Sequence, residues 1–228
     1  MSQAVESALR AVVDVAKTSF GVELSAGSVS QLTRFTEELL KWNARINLTA
    51  ITEPGQVAEL HILDSLAIAP HLGPGARLLD VGTGGGFPGV PIAIARPDVR
   101  VTLVDRTEKK ILFLKTTLAR LGISNAIAIH HRAEEGAPAE VLGSHDVVVS
   151  RALTAPETWF PLARTFAAEG GRVIAMLGSQ QPSLGELESL RSKPGEEVRL
   201  LRYGLPGGAE RALAILELAG ESSSSPDR

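Results

Sequence analysis

The sequence predicts an α/β protein with a mostly parallel sheet covered on both faces, an antiparallel edge and an N-terminal helical extension. Three observations carry this. The first 72 residues repeat apolar positions at helical spacing. Short β-branched runs then alternate with amphipathic stretches, as crossover connections in a parallel sheet require. The first of those runs opens into a glycine-rich loop, "DVGTGGGFPGV", placed where an open parallel sheet binds its ligand.

The elements follow in order. Val5, Leu9, Val12, Val13 and Ala16 form one face of a first helix. Ser28 and Gln31 fit a capping box ahead of a second, whose stripe is Leu32, Phe35, Leu39 and Trp42. A third covers "QVAELHILDSLAIAPHL", and Gly73, Pro74 and Gly75 end the extension. "ARLLDV" and "VRVTLVD" read as strands, the second ending at Asp105. "EKKILFLKTTLARLG" is a helix stopped by Gly122. "NAIAIHH" and "HDVVVSRAL" are strands, "APETWFPLARTFAAEGG" a helix and "GRVIAMLGS" a fifth strand. "EEVRLLRY" and "RALAILEL", separated by "GLPGGAE", supply the antiparallel edge. The division expected is an extension over 1–72, a sheet domain over 73–219 and a disordered tail over 220–228, which contains "GESSSSPDR".

Composition narrows the function. A net charge of −3 gives no global basic signature, so nucleic-acid contact requires a local patch. The chain has no cysteine, which removes disulfides, thiolate metal sites and cysteine nucleophiles. No apolar run approaches the ~20 residues of a membrane span. The N-terminus has acidic residues within its apolar pattern, which fits an amphipathic helix rather than a signal peptide. The expectation is a cytoplasmic protein, monomeric by default.

Gly84-x-Gly86-x-x-Gly89 spells a dinucleotide fingerprint, yet Asp80 stands just ahead of it. A pyrophosphate on a helix N-terminus is an anion, and a carboxylate there opposes it. S-adenosylmethionine carries a sulfonium and an ammonium instead. Unit charges ~4 Å apart interact by about 4 kcal/mol at an effective dielectric of ~20. Asp80 therefore favours S-adenosylmethionine, and Pro88 and Pro91 suit a short following helix. Asp105 is placed to accept from ribose hydroxyls under either cofactor. The structural alternative is that both acids merely cap their turns.

"KWNARINLT", "HILDS", "LLDVGTGGGFPGVPIAIARP", "HRAEE", "SRAL" and "ERALAIL" occur in this order. Together they resemble the bacterial small-subunit ribosomal RNA methyltransferases of the glucose-inhibited division protein B family, from about residue 25 to 218. The resemblance implies a Rossmann-like S-adenosylmethionine-dependent methyltransferase acting on N7 of a guanine in 16S rRNA. It implies that Gly82, Gly84, Gly86 and Phe87 line the methionine and adenosine part of the cofactor. Asp105 would meet the ribose, and Ala133 and Glu134 would flank the adenine. Arg151 would sit near cofactor and target, while Arg132 and Arg211 would hold RNA phosphate or the base. Leu177 stands where the family often has lysine.

The residues fit that chemistry. Guanine N7 already presents a lone pair, so transfer needs alignment more than a general base. Covalent C5-cytosine methylation needs a cysteine, and there is none. Where amino methyltransferases carry Asp/Asn-Pro-Pro-aromatic, this chain reads Ser150-Arg151-Ala152. Arginine is the common partner of guanine O6/N7; the alternative is a pair with a local acid such as Glu134. N7 faces the inaccessible major groove of A-form RNA, so the target base is unpaired or extruded.

Lys109, Lys110, Lys115 and Arg120, with Lys41 and Arg45, offer either an RNA-backbone grip or an ordinary solvated surface. His61 and Asp64 lie three apart on one helical face. Too few ligands surround them for a metal, so a site edge or helix contact is expected. His130 and His131 end a strand with one facing inward. Trp42 belongs to the core stripe. Other readings are a methyltransferase for a different RNA or protein, a non-catalytic assembly factor, and a nicotinamide dehydrogenase.

Overall fold

A computed structural model describes residues 2–136, 143–151 and 153–220. The chain opens with α1 (Ser2–Phe20) and α2 (Ala26–Asn43). A short α3 (Pro54–Val57) runs into a π-helical segment (Ala58–Leu63), then α4 (Asp64–Leu66) and a 3₁₀ turn (Ala69–His71). Next come β1 (Arg77–Val81), α5 (Gly89–Ala95), β2 (Arg100–Asp105), α6 (Glu108–Leu121) and β3 (Ala126–His130). A 3₁₀ turn (Ala133–Glu135), β4 (His145–Arg151), α7 (Pro156–Ala163) and β5 (Ala167–Leu177) follow. The last elements are α8 (Leu184–Glu188), β6 (Glu197–Gly204) and β7 (Glu210–Glu217).

The strands form one sheet in the order β3-β2-β1-β4-β5-β7-β6. The first five are parallel; β7 lies antiparallel to both β5 and β6. Order reverses between β1 and β4, which opens the crevice beyond their carboxyl ends. Period-two alternation assigns side chains to two cores. Leu78, Leu103, Val147 and Val149 join α1, α2, α5 and α6 on one face. Leu79, Val104, Val148 and Val173 join Trp159 and Phe160 of α7 on the other. The extension has no separate interior, because its Leu9, Leu32 and Phe35 belong to the same cluster as the sheet residues.

Four expectations need correction. Ser25, not Ser28, caps α2, its hydroxyl accepting from the Ser28 amide at 3.0 Å. The apolar face begins a turn earlier, at buried Val29, so the cap moves with it. The expected third helix is a composite of α, π and 3₁₀ turns. The helix expected over 155–171 stops at Ala163, and Ala167–Leu177 pairs with β4 as a strand. Tertiary pairing overrides the helical propensity of "TFAAE" there. Finally, α8 was unforeseen; Ser183 and Glu186 give it a complete capping box. Residues 221–228 of the expected tail lie outside the described residues.

Candidate active site

The glycine loop leaves β1 at Val81 and returns into α5. Gly82, Gly84 and Gly86 have φ of 71°, 57° and 96°, a region that penalises any side chain. The Gly82 and Thr83 amides donate to the Val104 carbonyl at 2.8 and 3.0 Å, tying the loop to β2. A Cβ on Gly84 would meet nothing closer than 3.9 Å. At that point the backbone faces free space and is open to close approach by a ligand.

Asp105, at the end of β2, is 5% exposed. Its Oδ2 accepts from the Gly84 amide at 3.0 Å and its Oδ1 from the Thr107 amide at 2.8 Å. Lys110 Nζ stands 3.9 Å from the same carboxylate. These residues border a cleft of about 510 Å³ with Gly82, Ala133, Leu153 and Thr158. The donor set fits S-adenosylmethionine: glycine backbone for close approach, a fixed carboxylate with spare lone pairs, and apolar walls. Lys110 is thus part of the cleft wall, while Lys109 is exposed. His131, the inward member of its pair, reaches the cleft; His130 is exposed. Ala133 is buried at the cleft edge. The side chain of Glu134 lies outside the described residues.

Asp80 sits behind the loop. It is fully buried, and its Oδ2 accepts from the Thr83 hydroxyl at 2.6 Å and the Gly89 amide at 2.8 Å. It thereby binds the loop to the start of α5, and it does not border the cleft. Burial pushes its carboxyl up to about 6, against the Thr83 and Gly89 hydrogen bonds and the field of Arg151.

Phe87 is also buried, and its ring meets Phe35 edge-on at 5.5 Å. His61 stacks on Phe87 at 4.6 Å and 23°, and the Arg151 Cζ lies over the ring at 5.2 Å. Phe87 therefore supports the loop from the protein side. Arg151, at the end of β4, donates from Nη1 to the Leu60 carbonyl at 3.0 Å and to Asp64 Oδ2 at 3.4 Å. Its Nη2 lies 2.9 Å from His61 Nδ1. The acid beside Arg151 is thus Asp64 of the extension.

Asp64 gathers three strands. Besides Arg151 from β4, it accepts from the Tyr203 hydroxyl of β6 at 2.8 Å. It also lies 3.6 Å from Arg211 Nε of β7. Burial raises the Asp64 pKa, while Arg151, Tyr203 and Arg211 pull it back. Burial, then the Asp64 charge, raises that of Tyr203. Arg151, His61, Asp64, Arg211, Ile51 and Leu177 line a second pocket of about 390 Å³. Leu177 is half-buried there, so the wall carries a branched apolar side chain and no charge at that point.

Arg132 is exposed beside Glu135 at 3.8 Å. Arg120 pairs with Glu38 of α2 at 2.9 Å, so it braces the extension rather than standing free. Trp42 packs against Phe113 at 5.7 Å as a partly buried member of the core. Tyr203 and Thr49 went unread in the sequence; no local pattern marks a tyrosine 139 residues from its carboxylate partner.

The pH dependence of stability tests this electrostatics. Asp80 keeps its proton in the folded state where the unfolded chain has lost it. Its contribution is therefore present below about 4 and lost as pH rises to about 6, ~3 kcal/mol in all. His61 runs the other way. Burial first, then Arg151, lowers its pKa to about 3, so its contribution is present above about 6.5 and lost on acidification. Arg151, Arg211, Asp64 and Tyr203 are the charged and titratable groups around it. The two slopes oppose each other between about 4 and 6. Asp80→Asn is expected to unmask rising stability with pH across that interval, measured by urea unfolding. A variant curve parallel to the wild type would refute the assignment.

A glycine loop after β1, an acid ending β2 and a final strand inserted antiparallel beside β5 define a Rossmann-like methyltransferase fold. An *Aquifex aeolicus* S-adenosylmethionine-dependent methyltransferase structure shares it, with a TM-score of 0.54 at 17% identity, covering 79% of this chain and 97% of that one. The chain belongs to the GidB family: the family model described as rRNA small subunit methyltransferase G matches residues 28–195. Ribosomal RNA small subunit methyltransferase G of *Myxococcus xanthus* is 41% identical over 198 residues, 86% of this chain and 91% of the relative. Its counterpart from *Anaeromyxobacter* sp. is 42% identical over 216 residues, 94% and 91% respectively.

Proposed function

We propose that this protein transfers the methyl group of S-adenosylmethionine to N7 of a guanine in 16S rRNA, free or within the small ribosomal subunit. It would act in the cytoplasm, as a monomer. The observation that carries this is the pairing, within a GidB-family chain, of a cleft bordered by Gly82 and Asp105 with an arginine-lined pocket. When bound, the cofactor supplies an electrophilic methyl on a sulfonium. Asp105, held by the Gly84 and Thr107 amides, would accept from the ribose hydroxyls with its remaining lone pairs. Ala133 and Glu134 would flank the adenine. Gly82 and Gly84 would let the backbone approach the methionine part, while Gly86, packed against Val90 and Leu114, would hold the loop's shape.

Arg151 is the residue proposed to align the base. An N–H aimed at N7 would occupy the lone pair that must attack, so its guanidinium is assigned to O6. No proton leaves before attack, which fits a pocket whose acids are already engaged. Transfer to N7 would leave the positive charge on the purine, beside the side chains of this pocket. Asp64 offsets the Arg151 charge beside that developing cation. Arg132, Arg211 and Lys109 would meet phosphate, with Lys110 reserved to the cleft.

The test is methyl transfer from radiolabelled donor to 16S rRNA and to 30S particles, with the product mapped by mass spectrometry. Label in an N7-methylguanine is the expected outcome. Cofactor binding without turnover would favour an assembly factor. Calorimetric binding of NADH in place of S-adenosylhomocysteine would overturn the cofactor.

A further inference from the structure

The geometry points to His61 as a positioning residue for methyl transfer, one that sets the orientation of Arg151 as a neutral hydrogen-bond acceptor supplied by the N-terminal extension. This rests on the role proposed for Arg151.

The His61 Nδ1 lies 2.9 Å from Arg151 Nη2 and 3.2 Å from the Leu60 carbonyl, which already accepts from Arg151 Nη1; an arginine only donates, so the shorter contact assigns Nδ1 as an acceptor. The imidazole is then the Nε2–H tautomer, and Nε2 donates to the Thr49 hydroxyl oxygen at 2.7 Å. That oxygen also accepts from the Ile51 amide at 3.0 Å, which fixes its position. The ring cannot tilt, because it stacks on Phe87, the ring that also lies under Arg151. His61 is 8% exposed, and burial keeps it neutral at physiological pH.

The division of labour at Arg151 is visible in the distances. The contact to Asp64 is 3.4 Å, whereas those to His61 and the Leu60 carbonyl are 2.9 and 3.0 Å. Asp64 balances the charge; the two neutral acceptors set the plane of the guanidinium. Both acceptors lie in the π-helical segment Ala58–Leu63, a local form that recurs at functional sites. The extension thus reaches across to fix a side chain that β4 alone would leave free to rotate.

Two substitutions separate positioning from packing. In His61→Asn the amide oxygen occupies the place of Nδ1 and still accepts from Arg151. In His61→Gln the amide reaches the place of Nε2, towards Thr49, and the acceptor for Arg151 is lost. Turnover of small-subunit RNA by His61→Gln is expected to fall on the order of tenfold to a hundredfold in kcat. S-adenosylhomocysteine affinity should be unchanged, and His61→Asn should recover most of the rate. Equal losses in both variants would overturn the proposal. Nitrogen-15 NMR of the full-length wild type provides a readout independent of activity and of variant folding. A protonated Nε2 and a bare Nδ1 are expected; a protonated Nδ1 would also overturn it. Absence of wild-type RNA methylation, with the expected tautomer present, would instead count against the proposed function.

Discussion

Arg151→Ala is expected to lower kcat for RNA methylation on the order of a hundredfold, the scale for removing one aligned donor from a reaction site. S-adenosylhomocysteine affinity should stay near the wild-type value, because Arg151 lines the second pocket and not the cofactor cleft. The fold should survive, since Asp64 keeps Tyr203 and Arg211 as partners. Arg151→Lys sharpens the test. It retains the charge but cannot donate along two fixed directions to the Leu60 carbonyl and His61. If alignment is what matters, lysine recovers little. Full activity of the lysine variant would mean that charge alone suffices, and full activity of the alanine variant would remove Arg151 from the site.

Gly86→Ala is expected to destabilise the folded state strongly. Gly86 has φ +96°, and a Cβ there would lie 2.7 Å from Val90 Cγ2 and 3.0 Å from Leu114 Cδ2. The conformational penalty and the overlap together cost about 3 kcal/mol. For a chain of this size, that corresponds to a melting temperature lowered by roughly 6 to 12 °C. Cofactor binding should weaken as well, because relief of the overlap must move the loop. Gly122→Ala is the control: Gly122 also has positive φ, but a Cβ there meets nothing within 4 Å. Equal destabilisation by the two would show that backbone strain, and not packing under the loop, dominates.

The sheet was legible because its strands are short, near-continuous apolar runs set between amphipathic stretches. "LLDV", "VTLVD" and "DVVVS" each place apolar groups on both faces, and all three lie in the parallel region. The glycine loop was legible because few backbones need so many positive φ angles together. The role of Asp80 was only half visible. Sequence places a carboxylate beside the glycines, but nothing local says that Thr83 and Gly89 fold over it. Arg151 was visible at the end of β4, yet its partners come from residues 60–64 and lie about 90 positions away. The π-helical turn that presents them has no hydrophobic period to betray it. The early start of β5 was hidden for a similar reason: "TFAAE" favours a helix locally, and only pairing with β4 makes its end extended.

The shared apolar interior has a consequence for how the molecule must be handled. Phe35 of α2 bears on Phe87, and Leu39 Cδ1 would stand 3.1 Å from a Cβ on Gly85. The leading helices are therefore the floor on which the cofactor loop rests. Trimming them would not liberate a minimal catalytic core; it would take away the surface against which that core is moulded.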